Sequence, residues 1–277
     1  MREIIVSERD SYESWRGHKQ RKPLTCVIGA RGADGCAIVA DTRAMREYEA
    51  SNISKFHILW DRVAIAGAGT SVLLDKFAEG IQKSEIPSAP DFGKVVETIE
   101  DIVGEVSTRY QTRLGPDSGL EALIMGLENF DKGEPYLRIV YQQGITEDIG
   151  QFAIIGHGAP YAHPLYRLLY DPMLTANELA VLGYFVISTI VYLGLDQTVG
   201  MTQMGPECVI LRANEEPKFL NPLDDEFKTA RASLENLKFR ANLITSIWQK
   251  IPMASSSIFP ENSRCGPRCK NLGVVRN

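Results

Sequence analysis

The stretch from Leu24 to Arg43 constrains the fold more than any other part of the chain. Val27 and Ile28 are apolar and lead into Arg31-Gly32-Ala33-Asp34-Gly35, a run rich in turn formers. A second apolar run, Cys36 to Ala40, follows and ends on Asp41. Two short strands around a turn make a hairpin. Antiparallel pairing then sets the first residue of one strand beside the last residue of the other. Thr25 heads the first strand and Asp41 ends the second, so the pattern predicts a hydroxyl next to a carboxylate.

The remaining pattern is mixed. Ile58 to Ala66 reads as strand, turn, strand. A helix is expected from Thr70, with Thr70 or Ser71 as cap and with Val72, Leu73, Phe77 and Ile81 on its apolar face. A second helix is expected from Asp91 to Arg113, with Val95, Val96, Ile99, Ile102 and Val103 as its stripe. Strands follow at Ala122 to Leu127, Tyr136 to Tyr141 and Phe152 to Ile155. Then come a short helix from Tyr161 to Tyr170, an apolar helix from Thr175 to Leu195 with Glu178 in a capping-box position, and a strand at Glu207 to Arg212. The order is strands, two helices, strands, two helices, strand. Two stacked sheets between helix layers satisfy it.

Composition narrows the function class. The net charge of −5 over 277 residues gives no case for nucleic-acid binding. Met1 to Leu24 mixes acids and bases without an apolar core, unlike a secretory signal. Leu179 to Leu195 carries no charge, yet it falls short of the roughly 20 residues a bilayer requires. It reads as a buried helix between a sheet and a neighbouring subunit. Cys26, Cys36 and Cys208 sit in apolar runs, as buried thiols do, and a reducing cytoplasm is the expected location. Cys265 and Cys269 lack a second pair of ligands, so no metal is expected.

Four segments result. Residues 1–24 form a polar extension with a basic end. Residues 25–222 form the main domain. Residues 223–252 form a further helix whose apolar residues include Phe227, Ala230, Leu234 and Trp248. Residues 253–277 lack periodicity and read as a flexible tail.

Thr25, Gly35 and Asp41-Thr42-Arg43-Ala44 resemble the opening of a proteasome beta-type subunit, one of the N-terminal-nucleophile hydrolases. Ser54-Lys55-Phe56-His57-Ile58 resembles the strand that carries the family's catalytic lysine. Ala66-Gly67-Ala68-Gly69-Thr70 resembles the turn that opens its first helix. The likeness runs more weakly to Leu211. It implies an α+β fold, the four-layer αββα sandwich, with the C-terminal helix as an addition.

The resemblance also implies chemistry. A threonine hydroxyl is a weak nucleophile, and an N-terminal threonine carries its own base in the α-amine. That amine titrates near pH 8, close to working pH. Thr25 would thus act only after residues 1–24, the propeptide, are removed. Lys55 would be a fixed positive charge beside the hydroxyl, and Asp41 would hold it. The Gly69 N–H would face the oxyanion, where one donor is worth roughly 3 kcal/mol. Asp196 matches an aspartate that arranges the amine, and His157 stands where the family has a serine. The pocket for the residue before the scissile bond would be floored by Gly67 and lined by Ala44, Ile53, His57, Ser71 and Asp75. Gly67 leaves room for a large side chain, and Asp75 pointing inward would favour a basic one.

The expected activity is threonine endopeptidase, without a cofactor, in a ring of the same or related beta-type subunits. Alpha-type rings and an unfolding ATPase are the implied partners, and unfolded chains the substrate; nucleic acid and membrane are not. Leu24 replaces the family's usual glycine before the threonine, and Val199 replaces a serine near the amine. These departures leave an unprocessed, structural ring subunit as the alternative. An amidase of small amides in the same superfamily stays open, as does Cys26 as an N-terminal nucleophile.

Overall fold

The computed structural model describes residues 25–46, 49–52, 54–59, 61–84, 92–114, 119–129, 132–201 and 205–235. The extension, Leu24, Ile53, the helix expected beyond residue 235 and the tail lie outside the described residues, as do the side chains of residues 44–46 and 49–52.

Twelve strands and five helices are described: β1 (Val27–Arg31), β2 (Gly35–Ala40), β3 (Arg43–Arg46), β4 (Glu49–Asn52), β5 (Phe56–Leu59), β6 (Val63–Ala68), α1 (Ser71–Lys83), α2 (Phe92–Leu114), β7 (Glu121–Asn129), β8 (Lys132–Val140), β9 (Thr146–Asp148), β10 (Phe152–Ile155), α3 (Ala159–Leu169), α4 (Ala176–Tyr192), β11 (Glu207–Arg212), β12 (Lys218–Phe219) and α5 (Asp225–Glu235). One five-stranded sheet has the order β10-β1-β2-β11-β12, and a second has β5-β6-β7-β8-β9. Strands β3 and β4 form a separate two-stranded ribbon.

Alternation along the strands builds three apolar layers. Cys36, Ile38 and Ala40 of β2 face Ala64, Ala66, Leu123 and Met125 of the second sheet. Ala37 and Val39 face the other way, against α3, α4 and α5. On the far side, Val63, Ile65, Ala122 and Ile124 meet Leu73 and Phe77 of α1 and Val95 and Ile99 of α2. Three cores between four layers give the αββα sandwich that the strand and helix order predicts.

Local chemistry sets the helix starts. The Thr70 hydroxyl caps α1 by accepting from the Leu73 N–H at 3.5 Å. Thr175 and Glu178 make a reciprocal capping box on α4. Two expectations change. Val72 is 46% exposed, because the buried face of α1 follows Leu73, Phe77 and Ile81. Helix α4 ends at Tyr192, and its outer side is covered within the chain. Phe227, Ala230 and Leu234 of α5 join its core, and the Phe227 ring meets Tyr184 edge-on at 5.2 Å. The neighbouring subunit expected there is not what buries it. Among the described residues, no helix is long and apolar enough to cross a membrane.

Candidate active site

The β1–β2 hairpin sets the site. The ladder pairs Val27 with Ala40. Just past it, the Asp41 N–H donates to the Cys26 carbonyl at 3.1 Å. The Cys26 N–H returns a bond to Asp41 Oδ1 at 2.9 Å, and the Gly200 N–H donates to Oδ2 at 3.2 Å. The carboxylate is thereby fixed at the head of β1, beside Thr25.

Lys55 enters from the second sheet, immediately before β5. Its ammonium forms an ion pair with Asp41 Oδ1 and donates to Thr25 Oγ1 at 3.3 Å. Thr25 and Asp41 are fully buried and Lys55 is 3% exposed. Burial pushes the Asp41 carboxyl up and the Lys55 ammonium down from their ordinary values, and the pair's mutual attraction opposes both shifts. The Thr25 hydroxyl donates to the Gly69 carbonyl at 3.5 Å. Thr25, Asp41, Lys55 and Gly69 are thus brought together from two sheets and one turn.

A second cluster adjoins the first. Gly156 has φ +89°, and a Cβ there would run into the Thr25 carbonyl. The Gly158 N–H donates to that carbonyl at 3.1 Å. Between these glycines, His157 Nδ1 lies 2.9 Å from Asp196 Oδ2. Thr198 donates to Asp196 Oδ1 through its N–H at 2.8 Å and its hydroxyl at 2.6 Å, and that hydroxyl lies 3.3 Å from His157 Nδ1. Burial acts to raise the Asp196 pKa, but the bonds from Thr198 and His157 outweigh it and hold the carboxyl below its ordinary value. Val199 is buried against Gly158, where a Cβ would come within 2.7 Å of its methyl.

The expected substrate residues are less gathered. His57 stands edge-on to the Phe77 ring at 5.9 Å, and burial lowers its pKa. Gly67 donates to the Lys55 carbonyl at 3.3 Å. A Cβ at Gly67 would lie 2.8 Å from Leu74 Cδ2 and 3.4 Å from Phe77, so the room expected there is occupied by α1. Ser71 opens α1 half-buried, and Asp75 is exposed on it. Ala44 is described only by its place on β3, and Ile53 lies outside the described residues.

Three groups were not foreseen. Thr198 sits next to Val199, and a hydroxyl one residue from the altered position was the available signal. Glu121 accepts from the Gly156 N–H, and Glu207 accepts from the Lys55 N–H and the Ser54 hydroxyl. Burial raises both carboxyl pKa values, and those bonds oppose it. Each acid heads a strand, which in sequence looks like an ordinary solvated end. Cys26 is fully buried, and burial pushes its thiol far above the usual range, which opposes a nucleophilic role.

A buried hydroxyl flanked by an ammonium, with a carboxylate fixing that ammonium, can lose its proton more readily than a free alcohol. Solved structures with this fold include Anbu (ancestral beta-subunit) from Yersinia bercovieri, at 15% identity and TM-score 0.60, over 82% of this chain and 98% of that one. Another is the Anbu (Gly-1) mutant from Hyphomicrobium sp. strain MC1, at 17% identity and TM-score 0.59, over 82% and 99% of the two chains. A third is the helical assembly of the Anbu complex from Pseudomonas aeruginosa, at 15% identity and TM-score 0.59, over 84% and 100%. At such identity the likeness is one of fold. No curated protein matches the sequence. The family described as Proteasome subunit matches residues 24–195, well over half of the sequence, and the chain belongs to that family.

Proposed function

We propose that the chain is a threonine endopeptidase of a proteasome-like particle, active once residues 1–24 are removed. The observation that carries this reading is the buried contact of Lys55 Nζ with Thr25 Oγ1 at 3.3 Å, with Asp41 holding the ammonium. Released at Thr25, the α-amine accepts the hydroxyl proton, and the ammonium stabilises the alkoxide as it forms. The hydroxyl oxygen attacks the scissile carbonyl. The Gly69 N–H serves the oxyanion, and the amine later returns its proton to the leaving group. Asp196 orients the amine, and His157 and Thr198 supply the polar contacts that Val199 cannot. His57, Gly67, Ser71 and Asp75, with Ala44 and Ile53, border the pocket for the residue before the cut. Water then hydrolyses the acyl ester left on Thr25 Oγ1, with the α-amine as its base, and the second product leaves with the enzyme restored.

The particle is built from copies of this or related beta-type subunits, in the cytoplasm. Its chamber admits unfolded chains, with alpha-type rings and an unfolding ATPase as candidate partners. Leu24 supports the alternative, an unprocessed subunit with a structural role, because self-cleavage favours a residue without Cβ before the nucleophile.

Intact mass of the purified particle tests the reading. Loss of Met1 to Leu24, abolished by Thr25→Ala together with peptide cleavage, is the expected result. A full-length mass persisting in an assembled particle would replace the peptidase with the structural subunit. Monomers that hydrolyse small amides would point instead to the amidase class.

A further inference from the structure

Asp41 is not the only carboxylate that reaches for Lys55. Glu207 opens β11 and pairs with Ala40, the residue before Asp41. Val209 and Leu211 of the same strand point into the core between the sheets. Glu207 shares their parity, so its side chain enters the same seam at its end. There it crosses to the second sheet, where the carboxylate accepts from the Lys55 N–H and the Ser54 hydroxyl while its Oε2 is buried without a hydrogen-bond partner among the described residues. The Ser54 oxygen accepts in turn from the Phe56 N–H at 3.3 Å. The carboxylate thus holds Ser54 and Lys55, the residues that lead into β5, and the Ser54 oxygen holds Phe56, its first residue.

The bond matters because of what Lys55 must do. Its ammonium sits at the end of four rotatable bonds and has to meet Asp41 and Thr25 together. The carboxylate and hydroxyl are fixed on the first sheet, whereas the lysine backbone is on the second. Any slip between the sheets at this point moves the ammonium off the hydroxyl. An ordinary apolar residue at 207 would fill the seam but could not take the Lys55 N–H.

We propose that Glu207 is a positioning residue for Lys55: its carboxylate, reaching across from the sheet that bears Thr25 and Asp41, sets the backbone from which the ammonium meets Thr25 Oγ1. The consequence for turnover rests on the peptidase reading; the positional claim does not.

The test uses the assembled full chain with Glu207→Ala and Glu207→Gln, measured for kcat and KM on a fluorogenic peptide. A crystal structure of Glu207→Ala accompanies the kinetics. For Glu207→Ala the expected loss is about 10- to 100-fold in kcat with KM little changed, as a small misplacement at a reacting group produces. Glu207→Gln keeps an acceptor oxygen and recovers most of the rate. In the crystal, Lys55 Nζ leaves hydrogen-bond reach of Thr25 Oγ1, now at 3.3 Å. An unchanged kcat, a glutamine no better than alanine, or an ammonium still in place overturns the proposal. If the wild-type particle cleaves nothing, the peptidase reading falls and the crystal alone decides the positional claim. If Glu207→Ala does not fold, Glu207→Asp, which withdraws the carboxylate by one methylene, takes its place with the same readouts.

Discussion

Lys55 donates to Thr25 across 3.3 Å while paired with Asp41, and all three side chains are buried. Removing the ammonium leaves a carboxylate inside the protein that, among the described residues, accepts from the Cys26 and Gly200 N–H groups. Breaking a buried pair from one side costs about 3–5 kcal/mol, because the remaining charge is uncompensated. Lys55→Met is therefore expected to destabilise by that amount on a Thr25→Ala background, which keeps the processing state constant. Adding Asp41→Asn to Lys55→Met should return part of the loss. Urea unfolding at fixed protein concentration measures both, and a double variant that is no more stable than the single one contradicts the account.

Gly156 is where the second cluster touches the nucleophile. Its φ of +89° costs an L-residue roughly 1–2 kcal/mol, before any clash is counted. An added Cβ also meets the Thr25 carbonyl, which the Gly158 N–H holds at 3.1 Å. Gly156→Ala should lower Tm by several degrees and stop removal of residues 1–24 even where the particle assembles. Normal processing at full stability would show that the turn does not set Thr25.

Two acids near the site predict opposite pH effects. Asp196 has a depressed pKa, so its contribution is complete above the unfolded carboxyl value of about 4 and fades as pH falls through the folded one. Asp196→Asn should lower stability at pH 7 and make less difference at pH 3. Burial raises Glu121, so its charged form costs stability above the folded pKa, and that cost disappears as pH falls below the unfolded value. Glu121→Gln should raise Tm at neutral pH, and the gain should vanish in acid. Melting curves across pH 3 to 8 decide, and a shift of the same sign for both variants refutes the assignment.

What the sequence displayed was local. The β1–β2 hairpin, the Thr70 and Thr175 caps and the boundaries of β10 and β11 follow from adjacent residues, and all are observed. Pairing between distant segments was not legible, because no neighbouring residue records that β11 lies against β2 or β10 against β1. The site divides in the same way. Asp41 beside Thr25 follows from one hairpin, and Lys55 from its motif. Glu207 and Glu121 matter because they cross a seam between two sheets, and only the packed structure creates that seam. Gly67 shows the reverse case: absence of a side chain suggested space, and Leu74 from the following helix fills it.

The apolar stripe from Phe227 to Leu234 near the C-terminus could serve either the chain's own core or a neighbour. In the structure α5, Asp225–Glu235, completes the chain's own core. Phe227 is fully buried against Tyr184, and Ala230 and Leu234 extend the contact along α4. Without α5, the outer side of an almost wholly apolar α4 would face water. Phe227→Ala should therefore cost about 3–5 kcal/mol, the usual range for a fully buried phenylalanine. Leu223→Ser, at a position 43% exposed just before the helix, should stay within about 0.5 kcal/mol. Unfolding of both variants at several protein concentrations separates the two roles. A Phe227→Ala loss independent of concentration places the helix in the subunit's own core, whereas a loss that deepens on dilution would assign it to an interface between subunits.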